Sequence, residues 1–379
     1  MPSSSKLNTS NMRKRVCSLV GAAIFMVSTY ACFLSEAHGD NNKRTRKRMS
    51  HSSSCNMFEG SWVFDDSYPL YNSAACPFIR DDFNCLKYGR TNLQYLKYRW
   101  QPKDCDLPRF DGRDFLTRFK GKRIMFIGDS ISLNFYESLK CLLNAAVSDE
   151  SKSKLGTRET HSNYLKDYGV EVKMFHTNFL VDIERKDIGR VLKLHSLKHG
   201  PEWKQADVLI FNTWQWWGRR GQGQPWDYIE QHDGKVVKDM NRVEAFSAAL
   251  DTWAKWVETE VNHTKTHVIF QGVTPSHYKG ADWGEAGVKN CLKETRPVKG
   301  STYAVGLPVA EKIVKQTQKK MTKPFYLLNI TRLSQLRKDG HPAIYSGLNT
   351  MDCTHWCLAG VPDTWAQILY AHLVSRRGK

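Results

Sequence analysis

The fold is decided by residues 122–143, which read KRIMFIGDSISLNFYESLKCLL. The apolar run Ile124–Ile127 suits a buried strand, and Gly128-Asp129-Ser130 ends it. After this break, apolar residues recur at helical spacing at Leu133, Tyr136, Leu139 and Leu143. A strand, a glycine turn and a helix predict an α/β fold with Ser130 at the carboxyl end of a strand. There a serine hydroxyl can act as a nucleophile, and backbone N–H groups can face an oxyanion.

Strand and helix signals alternate through residues 116–379, which we predict to be the catalytic domain. Strands are predicted at Val170–Phe175, Val191–Leu194, Ala206–Asn212, His267–Gln271 and Phe325–Ile330. Helices are predicted at Phe246–Val261, Val305–Gln318 and Pro362–Leu373. This alternation is typical of a largely parallel sheet covered on both faces, so the predicted fold class is a three-layer α/β/α sandwich.

A serine needs a base, and the base needs a group that orients it. Among thirteen histidines, His355 stands out because Asp352 precedes it by three residues. The carboxylate can bind one ring nitrogen while the other faces Ser130. We therefore predict a triad of Ser130, His355 and Asp352. His341 is a rival base, but the sequence places no carboxylate to orient it.

Each of these patterns has an ordinary structural alternative. Gly128-Asp129-Ser130 fits a turn with a helix cap, and Asp352-x-x-His355 fits a solvated loop. Their occurrence together, in this order and context, favours catalysis.

The chain resembles the plant trichome-birefringence-like family, which has a PC-esterase domain of SGNH/GDSL-hydrolase type. The resemblance covers the chain from about Cys55 to the C-terminus and is closest to the branch associated with pectin and powdery-mildew resistance. Its motifs include CNMFEGSWV at 55–63, YPLY at 68–71, YRWQP at 98–102, GDS at 128–130, LIFNTW at 209–214, RKDGHPAIY at 337–345 and DCTHWC at 352–357. The resemblance implies acetyl transfer to cell-wall polysaccharides, whereas the residues alone indicate a serine acyl-transfer site.

Asn212 is the predicted oxyanion donor, because the SGNH pattern has an asparagine after an equivalent strand. On sequence alone it could equally cap a loop. Asp129, next to the serine, is predicted to support the oxyanion site. The pattern's second block usually supplies a glycine donor, and residues 175–180 contain none. Asn178 is the substitute that the sequence offers there.

The N-terminal part predicts entry into the secretory pathway. Val16–Leu34 is mostly apolar and follows Arg13-Lys14-Arg15. We favour a signal anchor at 16–34 with a cytosolic N-terminus at 1–15; a cleaved signal peptide is the alternative. Residues 35–54 are predicted to be a disordered basic stem. The expected location is the Golgi membrane, as a single-pass type II protein with a lumenal catalytic domain, or a secreted or endoplasmic-reticulum form after signal cleavage.

Cysteine usage agrees with an oxidising compartment. Eight cysteines lie beyond the apolar run, which predicts four disulfides of undetermined connectivity: Cys55, Cys76, Cys85, Cys105, Cys141, Cys291, Cys353 and Cys357. Zinc at Cys353, His355 and Cys357 is the rival interpretation, which we disfavour because no second compact Cys/His pair appears, so no metal is expected. Disulfides around His355 would hold the base against Ser130. Two lumenal sequons, at Asn262 and Asn329, predict glycosylation if they are exposed.

Charge and aromatic residues indicate the partner. The net charge is +18, and beyond residue 50 there remain 47 Lys/Arg against 36 Asp/Glu, a net charge of +11. A basic folded domain favours an anionic partner, and we find no nucleic-acid motif. The segment 55–115 is rich in cysteine and aromatic residues and is predicted to be a cap on the catalytic domain. Possible sugar-stacking and carboxylate-binding residues follow Asn212: Trp214, Trp216, Trp217 and Arg219.

The sequence therefore predicts an O-acetyltransferase that forms an acetyl-serine and passes the acetyl group to a pectin- or xylan-type hydroxyl. An acetylesterase with the same triad remains open, since water in the second step gives hydrolysis. A non-catalytic pectin-binding wall protein is the third alternative. No bound cofactor is expected; the acetyl donor is a co-substrate of unknown identity.

Overall fold

A six-stranded, mostly parallel sheet forms the centre of the molecule; the computed structural model describes residues 55–147 and 161–376. The strands within these ranges are β1 (Gly60–Phe64), β2 (Tyr98–Pro102), β3 (Arg123–Gly128), β4 (Ser162–Leu165), β5 (Val170–His176), β6 (Asp182–Lys186), β7 (Gly189–Lys193), β8 (Val208–Phe211), β9 (Tyr228–Glu230), β10 (Val236–Val237), β11 (His267–Gln271) and β12 (Tyr326–Leu328). The α-helices are α1 (Gly112–Arg118), α2 (Ser130–Ala146), α3 (Gly200–Trp203), α4 (Arg242–Glu260), α5 (Val309–Lys320), α6 (Thr331–Gln335) and α7 (Val361–Arg376). Short 3-10 helices lie at Ser73–Ala75, Gln94–Lys97, Gly221–Gly223 and Gly280–Trp283.

The central sheet has the strand order β12-β11-β8-β3-β5-β4. Five of its strands are parallel, and only β4 runs antiparallel to its neighbour β5. Strand β3 therefore lies inside the sheet, between β8 and β5. The carboxyl ends of β12, β11, β8, β3 and β5 share one edge, which is where sites form in sheets of this kind.

Successive side chains of β3 enter two different cores. Ile124 and Phe126 pack with buried residues of α2 and α7 on one face. Met125 and Ile127 pack on the other face with buried residues of α4 and α5. Because the strand is buried on both faces, its sequence is continuously apolar rather than alternating. The predicted three-layer α/β/α sandwich is confirmed.

The cap is fastened to the catalytic domain by side chains and by disulfides. Strands β1 and β2 pair antiparallel, with Trp62 opposite Trp100. The Trp62 indole Nε1–H donates to the Leu333 carbonyl at 2.8 Å, and the Arg337 guanidinium lies 4.4 Å from the centre of the Trp62 ring. Cys76–Cys141 connects the cap to α2. Helix α1 begins at Gly112, so the predicted cap boundary at 115 falls within a helix.

A second, smaller sheet was not predicted. It has the order β10-β9-β7-β6, and its strand β7 contains most of the predicted strand Val191–Leu194. That strand therefore does not belong to the central sheet. Strand β6 is half-exposed and largely charged, so it lacks the apolar pattern by which strands are recognised.

The predicted anchor at 16–34 and stem at 35–54 lie outside the described residues. Within residues 55–147 and 161–376, no helix combines the length and apolar character needed to cross a bilayer.

Candidate active site

Ser130 is positioned by the tight turn between β3 and α2. A Cβ atom on Gly128 would collide with the Asn212 carbonyl oxygen and with Ser132 Oγ, so the turn requires glycine. Asp129 caps α2, because its Oδ1 accepts the Ile131 N–H at 2.9 Å. Ser130 is then the first helical residue, and its own N–H has no acceptor within the helix.

The loop that carries His355 is organised by Asp352. The Asp352 backbone pairs with Ala343 in an isolated β-bridge. Its Oδ1 accepts the backbone N–H groups of Thr354 at 2.9 Å and His355 at 3.0 Å. This local turn points the His355 ring back towards the Asp352 carboxylate, and His355 Nδ1 lies 2.7 Å from Asp352 Oδ2.

The three predicted triad residues lie in one hydrogen-bonded row. His355 Nε2 is 2.7 Å from Ser130 Oγ, although the two residues are 225 positions apart. Because the Asp352 carboxylate can only accept, Nδ1 of a neutral His355 carries the proton and Nε2 is free to accept from the serine hydroxyl. This is the arrangement that a serine nucleophile and its base require.

Electrostatics favour the charged form of His355. Burial alone would lower the pKa of His355, but the hydrogen bond and charge of Asp352, with Asp129 and Asp82, raise it above the ordinary value of 6.5. Burial opposes ionisation of Asp352 as well, yet its hydrogen bonds and the charge of His355 lower its pKa to about 2. The site therefore stabilises an imidazolium–carboxylate pair.

Two disulfides flank His355 and tie its loop to distant parts of the chain. Cys353 pairs with Cys291, and Cys357 pairs with Cys85 of the cap. The other pairs are Cys55–Cys105 and Cys76–Cys141, so the predicted set of four disulfides is confirmed. The sulfurs of Cys353 and Cys357 are thereby engaged, which removes the zinc alternative at these residues.

Sequence reasoning missed a buried polar network under the same loop. The Arg90 guanidinium donates to the carbonyls of His341 at 2.7 Å and Asp339 at 2.6 Å. His341 Nδ1 lies 2.6 Å from the His355 carbonyl, and His341 Nε2 lies 2.6 Å from His277 Nδ1. With both ring nitrogens engaged, His341 supports the loop rather than facing Ser130. No spacing in the sequence connects these residues.

The predicted oxyanion and support residues lie after three neighbouring strands: Asp129 after β3, Asn212 after β8 and Asn178 after β5. Asn212 follows β8; it is buried, and its Oδ1 has no hydrogen-bond partner among the described residues. Asp129 Oδ2 accepts the Gln215 N–H at 3.3 Å, which ties the turn to the loop after β8. Burial raises the pKa of Asp129. Asn178 follows β5, where Thr213 Oγ1 donates to its carbonyl at 3.1 Å.

The aromatic residues after Asn212 divide into surface and core. Trp217 is fully buried against Phe179 and Phe246, so its predicted role in sugar stacking is wrong. Trp216 is half-buried and lies under the Arg219 guanidinium, 4.2 Å from its ring centre. Trp214 is also half-buried and packs edge-on against Phe246. The sequence of a tryptophan cluster does not indicate which of its tryptophans faces the core.

The two predicted glycosylation sites differ in their surroundings. Asn262 is exposed in a turn, where its side chain accepts from the backbone and hydroxyl of Thr264. Asn329 is half-buried, and its Oδ1 is buried without a hydrogen-bond partner among the described residues. Glycosylation at either asparagine stays a prediction; the surroundings of Asn262 suit it better.

Comparison with known proteins agrees with this architecture. Residues 107–372 match the "GDSL/SGNH-like Acyl-Esterase family found in Pmr5 and Cas1p", and residues 53–106 match the "PMR5 N terminal Domain". Protein trichome birefringence-like 41 of Arabidopsis thaliana is 53% identical over 324 residues, which cover 84% of this chain and 90% of that protein. Protein trichome birefringence-like 38 of the same plant is 48% identical over 339 residues, covering 89% and 88%. Protein trichome birefringence is 39% identical over 344 residues, covering 84% and 56%. The chain thus belongs to the trichome birefringence-like proteins and carries their GDSL/SGNH-like acyl-esterase domain.

Proposed function

We propose that the protein is an O-acetyltransferase that acts on hydroxyl groups of a plant cell-wall polysaccharide of the pectin or xylan type. The observation that carries the proposal is the row Ser130 Oγ, His355 Nε2, His355 Nδ1 and Asp352 Oδ2, in which both contacts measure 2.7 Å. The polysaccharide acceptor follows from membership of the family rather than from the residues. Golgi residence through an anchor at 16–34 is part of the same proposal.

In the first half-reaction, His355 Nε2 takes the proton of Ser130 Oγ as the oxygen attacks the carbonyl carbon of the acetyl donor. In this proposal, the Ser130 N–H and the Asn212 amide bind the tetrahedral oxyanion. Asp352 stabilises the imidazolium that forms, and this imidazolium then protonates the leaving group of the donor. The product of this step is an acetyl ester on Ser130.

In the second half-reaction, a sugar hydroxyl attacks the acetyl-serine while His355 Nε2 takes its proton. The oxyanion forms again and collapses, the Ser130 Oγ–acetyl bond breaks, and the imidazolium of His355 returns its proton to Ser130 Oγ. The acetyl ester remains on the sugar. If water attacks instead, the same residues give an acetylesterase. The family description names acyl-esterases, so hydrolysis is the second candidate function.

The test is to incubate the full-length protein with a labelled small acetyl ester, with and without acidic and neutral oligosaccharides. We expect mass spectrometry to find label on Ser130, and NMR to find it on a sugar hydroxyl when an acceptor is present. The Ser130→Ala variant should fold normally and lose about 10⁶-fold in rate, as removal of a serine nucleophile does elsewhere. Unchanged transfer by this variant would exclude the mechanism, and release of free acetate alone would favour the esterase.

A further inference from the structure

A large cavity lies not beside Ser130 but where the cap meets the end of β12. It has a volume of about 820 Å³. Asn329 and Arg332, which follow β12, form one side, and Lys315 of α5 lies with them. The cap contributes Glu59 and Lys103. We call this space the basic cavity; it needs both the cap and the catalytic domain to form.

The charged groups of the basic cavity are unbalanced. Three cations, Lys103, Lys315 and Arg332, face a single carboxylate, Glu59. Arg332 is half-buried; its side chain makes no hydrogen bond or ion pair with any described residue, and its Nε is buried. Lys315 has one ion pair, at 3.5 Å to the buried Glu311. A buried guanidinium N–H without a partner is unfavourable, and an anionic ligand that accepts its hydrogen bond would relieve the cost.

The basic cavity lies on the same edge of the central sheet as Ser130. Strands β3, β8, β11 and β12 are successive neighbours, and their carboxyl ends share this edge. With about 4.8 Å between neighbouring strands, the end of β12 lies about 14 Å along the edge from the end of β3. An extended chain bound along the edge would therefore reach both places.

A second cavity occupies the interval between the two places. Its volume is about 330 Å³, and Trp214, Ser276 and Tyr303 lie in its wall. Ser276 Oγ is 2.9 Å from Thr354 Oγ1, next to His355, so this middle cavity adjoins the triad. Leu307 lines both cavities, which makes them neighbours. The wall of the middle cavity contains no cation and one carboxylate, Asp282, so this cavity does not attract an anion. Its aromatic and hydroxyl groups suit the uncharged faces of a sugar ring.

We propose that the basic cavity is a binding site for the uronate carboxylates of an acidic polysaccharide whose chain runs through the middle cavity to Ser130. The identity of this chain as the acetyl acceptor rests on the proposed function; its binding does not. Uronates fit better than phosphates, because Glu59 opposes a highly charged ligand while amides and hydroxyls at Asn56, Gln101 and Ser301 suit sugar hydroxyls. The site thus selects acidic acceptors over neutral ones.

The experiment measures binding by calorimetry with full-length Ser130→Ala protein, so that no turnover occurs. The ligands are an oligogalacturonate and a neutral xylo-oligosaccharide of equal length. In this background, Arg332→Gln should weaken oligogalacturonate binding about tenfold, since a charge-assisted hydrogen bond contributes that much. Adding Lys103→Gln should weaken it further and reduce its salt dependence. Binding of the neutral ligand should not change.

The matched control is Arg185→Gln, which removes an exposed arginine from the separate small sheet. It should leave both affinities unchanged. In enzymes with Ser130 restored, Arg332→Gln should raise KM for the acidic acceptor while hydrolysis of a small acetyl ester continues at the normal rate.

The proposal is overturned if Arg332→Gln and Arg185→Gln bind oligogalacturonate equally well. It is also overturned if mass spectrometry finds a glycan on Asn329, because that sugar would fill the basic cavity. A third outcome separates the two claims. If oligogalacturonate binds tightly in a way that depends on Arg332, but the wild-type protein forms no acetyl-serine, the binding site is supported and the proposed chemistry is rejected. The two claims therefore fail separately.

Discussion

The two halves of the proposed catalytic row, Ser130 and His355, are held in opposite ways. Ser130 follows a strand inside the central sheet and begins a 17-residue helix, so regular structure fixes it. His355 lies in an irregular loop that two disulfides and a buried polar network fix from a distance. The position of the proposed nucleophile, Ser130, therefore depends on local sequence, whereas that of the proposed base, His355, depends on long-range links. This difference predicts that the base is the more vulnerable partner.

Among the variants that test this comparison, the largest effect should come from Asp352, which orients His355. The Asp352→Asn variant should lose about 10⁴-fold in kcat, because the amide favours the wrong tautomer of His355. Rates of Ser130 acylation by a small acetyl ester measure this loss. A loss below tenfold would show that His355 does not need Asp352, and that the loop acts by shape alone.

The pH profile sharpens the same test. His355 must be neutral to accept the serine proton, so activity falls as the pH drops through its pKa. Because Asp352 helps raise the pKa of His355, the acidic limb of the wild-type profile should lie above pH 6.5. The residual activity of the Asp352→Asn variant should have its acidic limb at lower pH, because the variant lacks the negative charge that raises the pKa of His355. A limb that stays in place would contradict the assignment.

A smaller effect should follow removal of the disulfide just before His355. The Cys291→Ala/Cys353→Ala variant should lose about 100-fold in acylation rate at a temperature where it remains folded, since a shift of about 1 Å costs that much. The matched control is Cys55→Ala/Cys105→Ala, which removes a disulfide within the cap. Each variant should unfold more easily, by about 2–5 kcal/mol.

The two disulfide variants are expected to differ in acylation rate and not in stability. If both retain full acylation rates in thermally stable preparations, the disulfide at Cys353 does not position the base. If both lose activity equally, the cause is general destabilisation rather than the loop.

The smallest of these effects should appear at the serine turn. The Asp129→Ala variant removes the helix cap on Ile131, which costs about 1 kcal/mol of stability. The strand and the rest of α2 still hold the turn, so Ser130 should stay in place. Thermal unfolding measures the cost, and a crystal structure of the variant checks the position of Ser130 Oγ relative to His355 Nε2. Displacement of the serine would show that regular structure does not suffice to hold it.

This contrast also explains what the sequence could and could not predict. The strand Ile124–Ile127, the glycine turn and the helix beyond it are patterns of local periodicity, so they were predictable. His355 could be paired with Asp352 because the two share a turn. The role of Arg90 could not be predicted, because it contacts carbonyl groups about 250 residues away. Trp217 was misassigned because burial within an aromatic cluster depends on packing that no local pattern encodes.

The most direct test of the central claim is titration of the full-length protein with an organophosphate or sulfonyl fluoride, which modifies an activated serine rapidly but leaves an ordinary serine unmodified. We expect one equivalent to modify Ser130, abolish acyl transfer and react faster as the pH rises through the pKa of His355. Modification should fail in His355→Ala. Full activity after exposure to the reagent, or equal labelling of the wild type and His355→Ala, would contradict the claim that His355 activates Ser130.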